Sequence, residues 1–486
     1  MSLKNLNDFD NSVVIEEENI IIGSGAGGST IAYELLKKGK KSIILEEGPN
    51  IADIKSSNIG FNISNLYKNN GATPMLSLNG GPLIGYGQGS CVGGSTYVNA
   101  GYFSNTSEQV YSKWIHSKKT LITFKEFQSL INEIKEEIKI NCENLNDEDR
   151  DNKYLLDRAK NLNFKIDKCE RFSTGIEGIE KQNMNSTYHK EILKNDLDII
   201  FNCKVEKIVT NLDYATSIIA TDKLSKKKVY FKFKNLFVNC GPINTPHLLK
   251  KNNIIENKSR NFEFHINFKI VVKFKHEINF NLENKFDPNR AISKYFMREF
   301  ANDGTLLSVA NNELSYMLAT CSHFNDEIIK DIFLNQKKYS MFIYQIKSNS
   351  KGSIKSFFGK PFVEYSFSNK DYQEIRKAIK RISNFFLGHD IEFILFPLEN
   401  SKPIKNVESS NFLSENINPK KLQLVSVHGM SSLRSGPDNC ETDYYGKLKK
   451  FKNIFVSDAS ILPGNTGESP QASIMAYAKF VGKNII

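Results

Sequence analysis

Short apolar runs that end at a glycine or an acid recur along this chain and predict strands that run into loops. Ile20-Ile21-Ile22 leads into Gly23-Ser24-Gly25-Ala26-Gly27-Gly28, after which Ile31 to Lys38 carries helical spacing and Gly39 closes the helix. Ser42-Ile43-Ile44-Leu45 is a second apolar strand, ending at Glu46. Ile199 to Phe201 and Val205 to Val209 predict short strands, and Lys234 to Val238 predicts another. The last ends at Cys240-Gly241-Pro242-Ile243-Asn244-Thr245-Pro246, so strand, glycine and helix follow one another a second time. Near the C-terminus Asn453 to Val456 is a strand leading to Asp458, and Gln471 to Val481 is a helix. Pro470 suits its first turn and Ser469 its cap.

A different pattern fills the stretch between. Ile266, Phe268, Ile270, Val272 and Phe274 alternate with mainly polar residues, which predicts a half-buried strand. Met341 to Lys347 and Ser353 to Phe358 flank Asn349-Ser350-Lys351-Gly352, a predicted hairpin. Ile375, Ile379, Ile382 and Phe386 mark an amphipathic helix beginning after Ser368. Thr123-Phe124-Lys125-Glu126 is a capping box opening a surface helix, whereas Ile51 to Gly89 has little periodicity and predicts irregular chain. The fold class is α/β: a Rossmann-like dinucleotide-binding domain with a second α+β domain on a mainly antiparallel sheet.

Composition changes this picture little. The chain has 486 residues, 40% hydrophobic and 24% charged, as in ordinary enzymes with a sizeable core. The net charge of +11 is spread out, and Lys226-Lys227-Lys228 and Lys449-Lys450 are short runs without a matching motif. Nucleic acid is therefore not an expected partner, and a basic entrance that steers an anionic substrate stays open. Seven scattered cysteines without a C-x-x-C argue against a zinc site or disulfide framework and for free thiols in a reducing compartment. No metal constellation is evident. The N-terminus is polar, without a signal segment, and no run approaches the roughly 18 apolar residues of a bilayer span, so a cytoplasmic protein is expected.

The glycine loop carries specific chemistry. Gly23 permits the tight turn, Gly25 lets the backbone approach a pyrophosphate, and Gly28 lets helix and strand pack closely. Glu46 stands about 20 residues on, where an acid binds a ribose 2′-OH. The loop alone does not choose FAD or NAD. Gly87 to Gly101 is dense in small residues that let backbone pass a flat ligand, with Ser95, Thr96 and Asn99 offering hydrogen bonds. His428 follows a short apolar strand, and Pro463 to Pro470 is a turn-rich loop before the last helix. The other histidines, among them His247, His265 and His389, read as structural.

In this order the segments resemble the glucose–methanol–choline family of FAD-dependent oxidoreductases. The resemblance rests on Gly23 to Gly28 with Glu46, Val92 to Gly101, Cys240 to Pro246, and the block His428 to Ala478. Arg260 to His265 and Ser350 to Ser353 resemble weaker family segments, and residues 102–180 and 277–335 match weakly. It implies that segments 1–115, 195–262 and 420–486 form the FAD-binding domain, and that 116–194 and 263–419 form the substrate side. It also implies a hydride passed from a carbinol carbon to flavin N5, with His428 as general base on the hydroxyl. Cofactor contacts are expected from Gly23, Gly25, Ala26, Gly28 and Glu46 in the first loop region, and from Gly93, Gly94, Ser95 and Asn99 in the second. Further contacts are expected from Gly241, Asp458, Ala459, Pro470 and Gln471, and the backbone of Val205 is expected to meet adenine.

Two departures stand out. Ser469, with Glu468 beside it, occupies the place where the family carries Asn or His as partner of the catalytic histidine. Val98 stands near the position where members with covalent FAD carry histidine, so the FAD is expected to be non-covalent. The expected substrate is a polar alcohol, sugar or aminosugar-like metabolite, and the electron acceptor is not legible. A flavin-dependent lyase, or an FAD-binding protein that has lost catalysis, is the alternative.

Overall fold

The computed structural model describes residues 3–10, 13–54, 59–142, 145, 149–174, 180–256, 261–279, 293–388, 390–433, 435–437 and 440–485. Arg260 and His389, both singled out above, lie outside them.

Strand Val14–Ile22 anchors the first sheet. Its parallel neighbours on one side are Ser42–Leu45, Asp198–Phe201 and Leu3–Asn5, and on the other Lys228–Val238. Ile20 and Ile21 are fully buried, as befits a parallel strand covered on both faces. Lys228–Val238 also pairs with Ile454–Phe455 in parallel, and it extends antiparallel into Tyr214–Thr221 and Lys204–Asn211. Helix Ala26–Lys37 packs on this sheet, and helix Gln471–Ile485 packs on that helix.

A buried cation locks these helices together. Lys479 Nζ lies 2.7 Å from Glu34 and 2.6 Å from Glu137, the latter on helix Phe124–Ile138. Lys37 also reaches Glu34, at 2.6 Å. That third helix opens with the capping box read from the sequence, Thr123 and Glu126 bonding reciprocally.

The second sheet is mixed and mainly antiparallel. Its order is Gly352–Phe357, Lys360–Tyr365, Thr73–Ser77, Ile84–Tyr86, Leu424–Ser426, Glu263–Phe274, Tyr339–Lys347, Thr305–Val309, Tyr295–Met297 and Ile166–Lys168. Helix Asn369–Phe386, capped by Ser368, lays Ile375, Ile379 and Ile382 into one core with Phe264, Ile266, Phe268 and Ile270.

Three expectations need correction here. Glu263–Phe274 is buried along both faces, and its lysines are partnered: Lys273 meets Asp331 and Glu392, and Lys269 donates to the Tyr316 hydroxyl. The hairpin expected across 349–352 does not form. Tyr339–Lys347 pairs with Glu263–Phe274 and Thr305–Val309, and the hairpin joins Gly352–Phe357 to Lys360–Tyr365. The cause is Asp371, whose buried carboxylate accepts from Ser348 Oγ, Asn349 N, Ser350 N and Ser350 Oγ and ties the linker to the helix. Finally, residues 51–89 hold a helix, Ile59–Leu66, and strands Thr73–Ser77 and Ile84–Tyr86. These strands are too short for a periodic signal and exist because the second sheet buries Met75, Ile84 and Tyr86.

Candidate active site

The first glycine loop is built as its spacing requires. Gly23 has φ +101°, and a Cβ there would collide with the Asn239 carbonyl at the end of the adjacent strand. A Cβ on Gly28 would strike the Gly23 carbonyl, so the helix approaches the strand only without one. Gly25 is the reverse case. It caps helix Ala26–Lys37 with no side-chain bond, and nothing lies within 4 Å of where its Cβ would stand. The helix therefore offers uncapped N–H groups and a clear approach, the requirements of a pyrophosphate. Gly25→Ala keeps an allowed extended backbone but fills that approach. Its expected result is an unchanged apo-protein unfolding midpoint with FAD Kd raised roughly tenfold or more, read by flavin fluorescence titration.

Ser24 joins the first loop to the second. Its Oγ donates to Glu46 at 2.7 Å and accepts from Gly93 N–H at 2.9 Å. Glu46 is buried and also accepts from the N–H groups of Ser24 and Gly48; burial holds its carboxyl above the usual range. Residues 202 and 203 bond back to the carbonyls of Gly48 and Glu46, which brings the start of strand Lys204–Asn211, with Val205, beside that acid. His189, one of the histidines read as structural, lies behind both loops: its ring meets Ser29 Oγ at 2.7 Å and Asn185 Oδ1 at 2.8 Å. Burial pushes it down to about 3, so it is a neutral structural group.

Asp458 closes the same region. It accepts from Gly241 N–H at 2.7 Å and Thr245 Oγ1 at 2.6 Å, and burial raises its carboxyl. A Cβ on Gly27 would meet the backbone of Ser457 and Asp458, so this segment lies against the first turn of helix Ala26–Lys37. In the second loop Gly94 lies against Gly25, Ser95 is exposed, and Asn99 donates to Gln471 Oε1 at 2.6 Å. Lys181 holds the carbonyls of Tyr97 and Asn99. Val98, at the end of helix Ser95–Val98, carries no group that could bond a flavin covalently.

Gln471 begins the last helix, Pro470 precedes it and supplies the carbonyl for Ile474 N, and Ser469 is half-buried in the loop before them. That loop runs on to the histidine site. His428 is half-buried just beyond strand Leu424–Ser426, and the residue that meets its ring is His265, one of those read as structural. The two Nδ1 atoms are 3.0 Å apart, and His265 N–H also donates to the His428 carbonyl. His265 is fully buried, and its Nε2 meets Asn465 Oδ1 at 2.5 Å. Burial drives His265 well below the ordinary imidazole value and takes His428 down to about 4. Glu468 is committed elsewhere, ion-paired with Arg298. His247 bonds the Gly359 carbonyl. The sequence signal for His265 was its place at the end of Arg260 to His265, and Asn465 lay in a loop already singled out.

Two glycine loops over a parallel sheet, joined through one C-terminal loop to a histidine pair on a second sheet, define a dinucleotide-binding oxidoreductase of two-sheet architecture. The chain belongs to the GMC oxidoreductase family: family models for its N- and C-terminal parts match residues 18–267 and 349–478. FAD is the cofactor of this family, and the uncapped helix end at Gly25 suits it. An uncharacterized GMC-type oxidoreductase of Sinorhizobium fredii is 22% identical over 97% of this chain and 94% of its own length. A long-chain-alcohol oxidase of Arabidopsis thaliana is 21% identical over 97% and 69%. Among solved structures, formate oxidase from Aspergillus oryzae superposes with TM-score 0.78 at 13% identity, covering 97% of this chain and 98% of that one. Pyridoxine 4-oxidase from Mesorbium loti gives 0.73 at 13%, covering 96% and 98%. Among the described residues no helix is long and apolar enough to cross a membrane, and no disulfide joins the cysteines.

Proposed function

We propose that this chain oxidises the CH–OH group of a polar alcohol, sugar or aminosugar-like metabolite, with His428 as general base. The carrying observation is the state of His428. Its Nδ1 is engaged by His265, and among the described residues its Nε2 meets no hydrogen-bond partner. Burial keeps the ring neutral far below pH 7, so that nitrogen is a ready proton acceptor. When bound, FAD supplies the hydride acceptor.

The chain's own groups do the rest. Gly23, Gly25, Ala26 and Gly28 would receive the pyrophosphate at the helix end, and Glu46 with the Val205 backbone would hold the adenosine. Gly93, Gly94, Ser95, Asn99, Gly241, Asp458 and Ala459 would make further contacts with the FAD. The N-terminus of the last helix, at Pro470 and Gln471, favours negative charge on the ring. Ser469 hydrogen-bonds substrate or a water. Val98 supports FAD held without a covalent bond, and cysteines that form no disulfide among the described residues support a reducing, cytoplasmic compartment. The relatives are named for long-chain alcohols, pyridoxine and formate, so family membership alone selects no substrate.

The test is the visible spectrum of the purified protein before and after acid precipitation. Bands near ~380 and ~450 nm that move to the supernatant, and that alcohols or sugars bleach anaerobically, are expected. A colourless protein that FAD does not reconstitute overturns the reading. A yellow protein that no alcohol bleaches directs it to the alternatives, a flavin-dependent lyase or an FAD-binding protein that has lost catalysis.

A further inference from the structure

We propose that His265 and Asn465 are positioning residues that hold His428 with its hydrogen on Nδ1 and its lone pair on Nε2. The proposal rests on the reading of His428 as the base, and it explains which nitrogen does the work.

The argument starts at Asn465, because backbone groups determine both ends of its amide. Its Nδ2 donates to the Phe264 carbonyl at 2.9 Å, and its Oδ1 accepts from Gly467 N–H at 3.0 Å. The amide therefore cannot be turned over, and the atom facing His265 Nε2 at 2.5 Å is an acceptor. His265 Nε2 must carry hydrogen. His265 is fully buried, and among the described residues no acid touches either ring nitrogen, so it is held neutral and its Nδ1 is a bare acceptor. Across 3.0 Å stands His428 Nδ1, and two lone pairs at that distance would repel. The hydrogen in the contact is thus supplied by His428.

Neutral His428 then has one site left, an unprotonated Nε2. In water a neutral histidine favours hydrogen on Nε2, the form that is useless as a base through that atom; the bonding chain selects the opposite one. The anchors are rigid. Asn465 N–H is held by Glu263 at 2.7 Å, and His265 sits on the central strand of the second sheet. When His428 Nε2 takes a proton, the resulting cation keeps its Nδ1–H on His265 Nδ1 through a charge-assisted bond, so the same pair stabilises the charge it helps to create.

The experiment is solid-state 15N spectroscopy of FAD-loaded protein labelled in histidine, with the His428 signals assigned by their loss in His428→Asn. In the wild type a protonated Nδ1 and an unprotonated Nε2 are expected for His428 at pH 7. Asn465→Leu removes the acceptor without adding charge. It is expected to shift the His428 signals towards a tautomer mixture and to lower anaerobic flavin bleaching about 10- to 100-fold, with KM little changed. Hydrogen on Nε2 of wild-type His428 overturns the proposal even where the variant does not fold. A folded Asn465→Leu protein with unaltered His428 signals overturns it as well. The two readings separate cleanly. If the expected tautomer is found but His428→Ala is bleached at the wild-type rate, the base assignment fails and the positioning stands.

Discussion

His428→Ala is expected to slow flavin bleaching by alcohols about 10²- to 10⁴-fold and to leave the protein yellow. The size is what a positioned general base contributes to breaking an O–H bond. The retained colour follows from where the cofactor loops stand. Gly23 to Gly28, Gly93 to Asn99 and Asp458 are tied to one another by Ser24, Gly241 and Thr245, and none of these bonds passes through the His428 ring. The bond from His265 N–H ends on the His428 carbonyl and survives the substitution. In the wild type, pH adds a second readout. Burial lowers His428 to about 4, so the neutral, competent ring persists as pH falls and is lost only on passing through that value. The rate should stay level between about pH 7 and pH 5 and then decline. Unchanged bleaching in the variant removes His428 from the chemistry, and a decline centred near the ordinary imidazole value of about 6.5 removes the claim that burial holds it neutral.

Lys479→Met is expected to destabilise the fold by about 3 kcal/mol, the lower end for breaking a buried ion pair from one side. Lys479 is fully buried and Glu34 is only 3% exposed, so the loss strands a carboxylate without water. Lys37 remains 2.6 Å from Glu34, which is why the lower end applies. Urea midpoints at neutral pH measure the change; the carboxylates hold the Lys479 ammonium above its ordinary pKa, so the lysine is fully charged there. The informative control is the double variant Lys479→Met, Glu34→Leu. Replacing both members with apolar groups is expected to recover most of the loss, because the cost lies in the unpaired charge and not in the missing attraction. A double variant as unstable as the single one shows that packing of the lysine stem, not the carboxylate, accounts for the effect.

The parts of this molecule that were legible beforehand are those whose cause is local. The glycine loop declares itself because Gly23 and Gly28 answer to contacts with their own strand and its direct neighbour. Ser368 and Thr123 mark helix starts because a cap acts over one turn. The misread hairpin has a distant cause: Asp371 collects the linker 348–350 from the far side of a strand pair. Likewise the polar residues of Glu263–Phe274 looked like a wet face, and they are instead the partners of side chains that follow them by tens to hundreds of residues. His265 is the sharpest case. Its segment Arg260 to His265 offered only a weak signal, and its partner lies 163 residues further on.

The sheet order carries a consequence for how the protein is made. The platform under the glycine loop is finished by Ile454–Phe455, by Asp458 and by the last helix, which covers Ile31 and Leu35 with its own apolar side. At about 5–20 residues per second, a ribosome needs roughly 10 to 50 seconds to travel from the end of Lys228–Val238 to them. Throughout that time the nascent chain displays an unfinished parallel sheet and a bare helix, surfaces that call for chaperone cover. The cofactor platform is therefore completed only after Ile454–Phe455 and Gln471–Ile485 have been made.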